Sequence, residues 1–240
     1  MTQYGKLYLI PTVIAEGTQH KVIPEHVKNE LKTIQHFLAE DVRTARRYFS
    51  SLRIFDSIES LQFVEFNKDT GEEELPAMFA PVFEGHHLGV VSESGCPGIA
   101  DPGSAAVRYA HKNAITVVPL VGPSAVLLAL VSSGLNGQHF AFHGYLPVSD
   151  ADAAKAIREF EKESARKGQT QVFIETPYRN NGLLRKMLAA LSPDTSLCVA
   201  VDITGDAEFI RTMPVKRWKA TAAALPKLPA IFLFQAVNSR

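Results

Sequence analysis

Apolar positions along this chain fall into two alternating rhythms. Short β-rich runs occur at Leu7–Ile10, Leu88–Ser92, Thr116–Leu120, Phe140–Phe142, Gln171–Ile174, Leu197–Val201 and Ile231–Phe234. Between them, Glu25–Ile34, Val42–Leu52, Ser104–Asn113, Ser124–Ser133, Ala153–Ala165, Leu183–Leu191 and Lys216–Ala224 repeat their apolar residues at helical spacing. Strand-then-helix alternation from end to end predicts an α/β protein with parallel sheets. Glycine and proline cluster at Gly95–Gly103 and at Gly122–Pro123, both where a strand hands over to a helix. The second cluster is the expected lobe boundary. It divides the chain into 1–122 and 123–240, with Pro123 restraining the linker and Ser124 suited to cap the next helix.

Composition narrows the picture. At 240 residues, 46% hydrophobic and 21% charged, the chain buries a substantial core and leaves no room for extensive disorder. No apolar run approaches the roughly 20 residues that span a bilayer, and Met1–Lys6 lacks the basic start and apolar stretch of a signal peptide, so a cytoplasmic address is expected. Cys96 and Cys198 read as reduced thiols, because two cysteines so far apart suggest neither a disulfide framework nor a zinc cluster. No metal is expected, since His86-His87 lacks a partner at metal-binding spacing. With 25 basic and 25 acidic side chains the net charge is zero, so any RNA contact must come from a local patch.

The run Val90-Val91-Ser92-Glu93-Ser94-Gly95-Cys96-Pro97-Gly98-Ile99-Ala100-Asp101-Pro102-Gly103 is a buried strand that empties into a loop at its carboxyl end, the end at which open α/β sheets bind ligands. Glycines let backbone amides approach a ligand, and the helix that follows offers its positive end. For glycine and proline alone a stiff connecting turn is the simpler reading; Glu93 and Asp101 in the same loop favour a ligand site.

Two more segments, Pro119-Leu120-Val121-Gly122-Pro123-Ser124-Ala125 and Phe142-His143-Gly144-Tyr145-Leu146-Pro147, follow in order. Ala39-Glu40-Asp41-Val42-Arg43 and Phe173-Ile174-Glu175-Thr176-Pro177-Tyr178-Arg179 extend the pattern over almost the whole chain. Together these segments resemble the tetrapyrrole methylase superfamily, and within it the branch of ribosomal RNA small-subunit methyltransferase I. The resemblance implies two α/β lobes, commonly a homodimer, with S-adenosylmethionine in the interlobe cleft. It implies cofactor contacts from Ile14, Cys96, Ile99, Ser124, Ala125 and Ile174, and substrate handling by Glu40, Arg43 and Arg179. Two segments depart from the branch's pattern. Pro11-Thr12-Val13-Ile14-Ala15-Glu16-Gly17 lacks its asparagine and one glycine, and Val148-Ser149-Asp150-Ala151-Asp152 is acidic where the branch is basic.

Methyl transfer from a sulfonium is an in-line displacement, so placement outranks a dedicated base. Were the acceptor a ribose hydroxyl, Asp41, Glu93, Asp101 and Glu175 are the candidate proton acceptors. Simpler readings compete. The acids at 40 and 41 suit a helix start, and Arg43, Arg46, Arg47 and Arg53 form either a phosphate patch or a solvated face. Cys96 has no neighbouring base in sequence and is not expected to be a nucleophile. Three functions are carried forward: methylation of RNA at a ribose 2′-hydroxyl of small-subunit ribosomal RNA, methylation of a tetrapyrrole or other small molecule, and a non-catalytic cofactor- or RNA-binding module.

Overall fold

The computed structural model describes residues 4–221 and 224–237. The chain forms two compact units, the first ending at Ser124 and the second beginning at Ala125. In the first, β1 (Leu7–Ile10) leads through α1 (Gln19–Val22) and α2 (Glu25–Leu31) to β2 (His36–Ala39). Then come α3 (Val42–Leu52), β3 (Gln62–Glu65), α4 (Leu75–Met78), α5 (Ala80–Phe83), β4 (Leu88–Val91), α6 (Gly103–Lys112) and β5 (Val117–Pro119). The sheet order is β3-β2-β4-β1-β5, and every pairing is parallel.

Parallel strands need crossover helices, and these cover both faces of the sheet. Side chains that alternate along each strand therefore feed two cores. Tyr8, Ile10, Phe37, Ala39 and Val91 pack with α2 and α3, while Leu7, Leu38, Leu88 and Val90 pack with α5 and α6. Helix α3 shows the local logic. Ala45, Tyr48, Phe49 and Leu52 form one buried stripe at helical spacing. Asp41 caps the helix by accepting from the Thr44 amide at 2.6 Å, and Arg53 ends it in the left-handed conformation at φ 53°.

The second unit runs α7 (Ala125–Ser133), β6 (Phe140–Phe142), α8 (Asp150–Lys167), β7 (Thr170–Glu175), α9 (Asn180–Ala190), β8 (Ser196–Val201), β9 (Phe209–Pro214), α10 (Val215–Thr221) and β10 (Ala230–Gln235). Its sheet order is β6-β7-β10-β8-β9. Only β6 and β7 pair in parallel; β10 runs antiparallel to both β7 and β8, and β9 antiparallel to β8. The expectation of parallel sheets is thus corrected here. The crossover from β7 through α9 keeps β7 and β8 in one direction, but leaves a gap that β10 fills from the opposite direction. Alternation again makes two cores. Phe173, Leu197, Val199, Phe232 and Phe234 pack with Trp218 and the helices α8 and α9, and Val172, Cys198, Ala200, Ile231 and Leu233 pack with α7.

Strands β2, β3 and β9 are additions to those read from the pattern, and α10 stops at Thr221, Ala222 and Ala223 of the expected helix lying outside the described residues. The acidic run after Leu146 has a structural use. Ser149 caps α8 by accepting from the Asp152 amide, and Asp150 and Asp152 sit in its first turn. Among the described residues no helix is long and apolar enough to cross a membrane.

His87 Nδ1 accepts from the Lys6 amide at 3.2 Å, joining the segment before β1 to that before β4, so the ring is held neutral. Burial, with Lys6 nearby, pushes His87 below the usual histidine range, and burial with the neighbouring His86 does the same to His36. Depressed histidines favour the fold while neutral. The unfolded chain takes up their protons near pH 6.5 and the folded one only lower, so stability falls as pH drops below about 6.5. Urea midpoints measured from pH 8 to 5 should show this decline, and His87→Asn, which keeps an acceptor but cannot titrate, should make it shallower.

Candidate functional site

Strand β1 sends its connection toward β2, on one side of the sheet, and neighbouring β4 sends its own toward β5 on the other. Where adjacent connections part, a crevice opens at the carboxyl ends of the strands. A pocket of about 370 Å³ lies there, lined by Thr12, Ile14 and Gln19 from the first loop, Ser92 and Glu93 after β4, and Thr44, Arg47 and Tyr48 from α3. That volume is in the range of small-molecule sites.

The loop after β4 is clasped to its neighbours. The Gly95 carbonyl accepts from the Thr12 amide at 2.8 Å, and the hydroxyls of Thr12 and Ser92 donate to it at 3.4 Å. The Cys96 thiol donates to the carbonyls of Pro123 at 3.3 Å and Gly122 at 3.6 Å, drawing in the segment after β5. Burial and Asp101 push that thiol up, so it stays protonated as a donor rather than becoming a nucleophile. Inside the loop, Asp101 Oδ1 accepts from the amides of Gly98 and Gly103, both at 2.7 Å. Gly95, Gly98 and Ala100 all hold positive φ, at 74°, 90° and 64°. For alanine this costs about 1–3 kcal/mol, strain that the surrounding hydrogen bonds sustain.

Among the described residues, Oδ2 of Asp101 is buried without a hydrogen-bond partner. An unsatisfied buried acceptor costs about 1–3 kcal/mol, and a ligand donor removes that cost. Burial dominates over the amides and pushes the Asp101 carboxyl up. No heavy atom lies within 4 Å of the point where a Cβ on Gly98 would sit, and Ile99 beside it is 41% exposed. The loop therefore offers an orphan acceptor, an open backbone and an apolar surface together.

The acidic residues divide by environment. Asp41 is committed to capping α3, which holds its carboxyl below the usual range. Glu175, its side chain 2% exposed, is paired with Arg179 at 3.0 Å. Glu93 is exposed. Glu40 stands apart: burial raises its carboxyl, and the charges of Glu93 and Asp101 add to this against a weak bond from the Glu93 amide at 3.5 Å. The pattern Ala39-Glu40-Asp41-Val42-Arg43 thus pairs a helix cap with a partly buried carboxyl group beside Glu93 and Asp101.

Ile14, Glu40, Glu93, Cys96, Ile99 and Asp101 all lie at the carboxyl-end loops of the first unit, Arg43 lies in the first turn of α3, and Ser124 closes that unit, buried. Ile174, Glu175 and Arg179 gather at the end of β7 in the second unit. Ala125 opens α7, and both it and Ile174 are partly buried against the α7 core. The arginines of α3 do not act as one patch: Arg47 lines the pocket, Arg46 lies 5.1 Å from the Phe63 ring centroid, and Arg53 ends the helix. Tyr48 was not foreseen. Its hydroxyl donates to the Pro11 carbonyl at 2.9 Å, and its ring forms part of the pocket wall.

Residues 13–217 match the family model described as tetrapyrrole (corrin/porphyrin) methylases. The chain belongs to that family. Ribosomal RNA small subunit methyltransferase I of Streptococcus pyogenes serotype M3 is 37% identical over 185 residues, 77% of this chain but 60% of that protein. The protein of the same name from Halalkalibacterium halodurans is 32% identical over 208 residues, 86% of this chain and 68% of its own length. Uroporphyrin-III C-methyltransferase from Thermus thermophilus shares the fold, with a TM-score of 0.56 at 18% identity over 96% of this chain and 94% of that one. In this methylase-family chain the glycine-proline loop and its Asp101 staple fall within the matched span.

The staple makes a direct prediction. Asp101→Ala should speed hydrogen exchange at the Gly98 and Gly103 amides by an order of magnitude or more, about 1–3 kcal/mol of lost protection. Asp101→Asn keeps the accepting oxygen and should leave both amides close to native.

Proposed function

We propose that this chain is an S-adenosylmethionine-dependent methyltransferase acting on RNA, with a ribose 2′-hydroxyl of small-subunit ribosomal RNA as acceptor. Family membership and the names of its relatives support the chemistry, and the observation that carries it is the clasped loop with its orphan Asp101 oxygen. The residues fit such a donor. A ribose or amino group can satisfy Asp101, Gly98 admits close approach, and Ile99 offers an apolar surface. Cys96, Ile14 and Ser124 are the further contacts proposed from the first unit, and Ala125 and Ile174 those from the second.

When bound, S-adenosylmethionine supplies a methyl group on a positively charged sulfur, whose transfer to oxygen is an in-line displacement releasing a neutral thioether. The chain's main task is orientation, worth about 7–11 kcal/mol, against about 3–5 kcal/mol from a base. Asp101, Thr12 and Cys96 fix the loop that orients the donor. Glu40 is the proposed proton acceptor, since Asp41, Asp101 and Glu175 are held by a cap, a staple and an ion pair. Its carboxylate takes the hydroxyl proton as that oxygen bonds to the methyl carbon. Arg43 and Arg47 supply positive charge beside the crevice for phosphates.

We also propose a homodimer in the cytoplasm. Helix α7 is apolar from Ala125 to Val131, yet Leu127 is 49% and Val131 77% exposed, one turn apart on the helix. Light scattering should give twice the chain mass, and Val131→Glu should shift it toward the monomer.

Transfer of labelled methyl to unmethylated small ribosomal subunits, free ribosomal RNA and tetrapyrrole precursors tests the reading. Label in small-subunit RNA, in a nucleotide resistant to alkaline cleavage, is expected. Label only in a tetrapyrrole would replace the RNA reading with the small-molecule one, and donor binding without transfer would make the chain a binding module. Glu40→Gln should lower the rate about 10²- to 10⁴-fold and abolish its rise with pH through the Glu40 titration, with donor binding intact.

A further inference from the structure

We infer that the groove at the carboxyl end of β7 is a docking site for single-stranded RNA, with Tyr178 as the platform on which an unpaired base stacks. This rests on the RNA reading above and specifies where, away from the glycine-proline loop, the substrate is held.

The groove has a volume of about 580 Å³ and includes Glu175, Tyr178, Arg179, Arg185, Lys186 and Asp150 in its lining. Tyr178 is mounted on a tight turn. Pro177 has a fixed φ, the Arg179 amide donates to the Thr176 carbonyl at 2.9 Å, and the Thr176 amide donates to Glu175 Oε1 at 2.7 Å. The turn fixes the backbone beneath the ring and leaves 82% of the residue exposed, so a base can reach the ring face.

Cations surround the ring. The Lys227 ammonium lies 5.8 Å from its centroid. Arg179 is held from behind by the buried Glu175 at 3.0 Å while its own side chain stays 39% exposed, which fixes the guanidinium without hiding it. Lys186 is spent on Asp150 at 2.8 Å and on the Val148 carbonyl at 3.0 Å, but Arg185 on the same helix is exposed. The lining holds three cations against two carboxylates, and Lys227 adds a fourth cation beside the ring. In a chain of zero net charge this local excess is where a polyanion gains.

An exposed aromatic beside cations that line a groove is the arrangement used for unpaired nucleotides, whose bases stack and whose phosphates meet the cations. A duplex offers no free base face. A protein partner is less suited, because five charged side chains line the groove while the exposed apolar side chains Leu127 and Val131 lie on α7.

The test is anisotropy of a fluorescein-labelled oligoadenylate of about ten nucleotides, titrated with the full chain across a salt series. Tyr178→Ala should weaken binding about 5- to 100-fold, and Tyr178→Phe, which keeps the ring, should stay within about twofold. Lys227→Ala and Arg185→Ala should each flatten the salt slope by about one. All three residues are surface groups, and unchanged melting temperatures confirm folding. Native affinity in Tyr178→Ala overturns the platform while leaving the RNA reading standing, and a loss in Tyr178→Phe as large as in Tyr178→Ala overturns stacking. If the native chain binds neither the oligonucleotide nor ribosomal RNA, the RNA reading falls and the groove assignment with it. Binding only to protein-containing subunits, weakened by these changes while free RNA is ignored, would make the groove a protein contact and overturn the RNA site.

Discussion

The carbonyl of Gly95 is the point on which the carboxyl-end face of the first unit's sheet depends. Parallel strands share no tight hairpins, so the loops at their carboxyl ends drift apart unless something ties them. Here one oxygen receives the Thr12 amide and the hydroxyls of Thr12 and Ser92, and the next residue reaches across to Gly122 and Pro123. Glycine is required on both sides of this junction. At Gly95, φ is 74° and a Cβ would lie 3.1 Å from the Pro123 carbonyl; at Gly122 a Cβ would fall 2.0 Å from Pro11 Cβ. Three loops from β1, β4 and β5 thereby become one surface, and Asp101 gives its longest member a fixed shape.

That surface explains how the acidic residues come to differ. Asp41 and Glu40 are neighbours in sequence, but the start of α3 takes one carboxylate as its cap and leaves the other facing Glu93 and Asp101. Two adjacent carboxyl groups therefore differ, with proton affinity lowered at Asp41 and raised at Glu40. In the second unit Glu175 spends its charge on Arg179, and that expense keeps a guanidinium in place at the end of β7. Each carboxylate is read by its partners and its burial rather than by its motif.

Much of this was legible in the chain itself. Leu7–Ile10, Phe140–Phe142 and Val42–Leu52 fall where the apolar rhythm puts them, because each is bounded by a cap or a turn with a strong local signal. Strand β2 is only four residues long and runs into the α3 cap, while β3 is an edge strand whose exposed residues carry no clean alternation. The antiparallel β9 and β10 could not be oriented from local pattern, since β10 owes its direction to a gap between two strands that are far from it in sequence. At the site, glycine and proline announced the loop. Thr12 and Tyr48 did not announce themselves, because their partners are backbone carbonyls 83 and 37 residues away and any residue type supplies a carbonyl.

The central claim is that the Asp101-stapled loop is a binding surface for the methyl donor, and calorimetric titration with S-adenosylhomocysteine addresses it without needing an acceptor. One site per native chain is predicted, with affinity lowered in Asp101→Asn, which keeps the staple but loses the free acceptor, and severely reduced in Asp101→Ala at a near-native melting temperature. Absence of heat at millimolar ligand, or equal affinity in Asp101→Ala, would contradict the account.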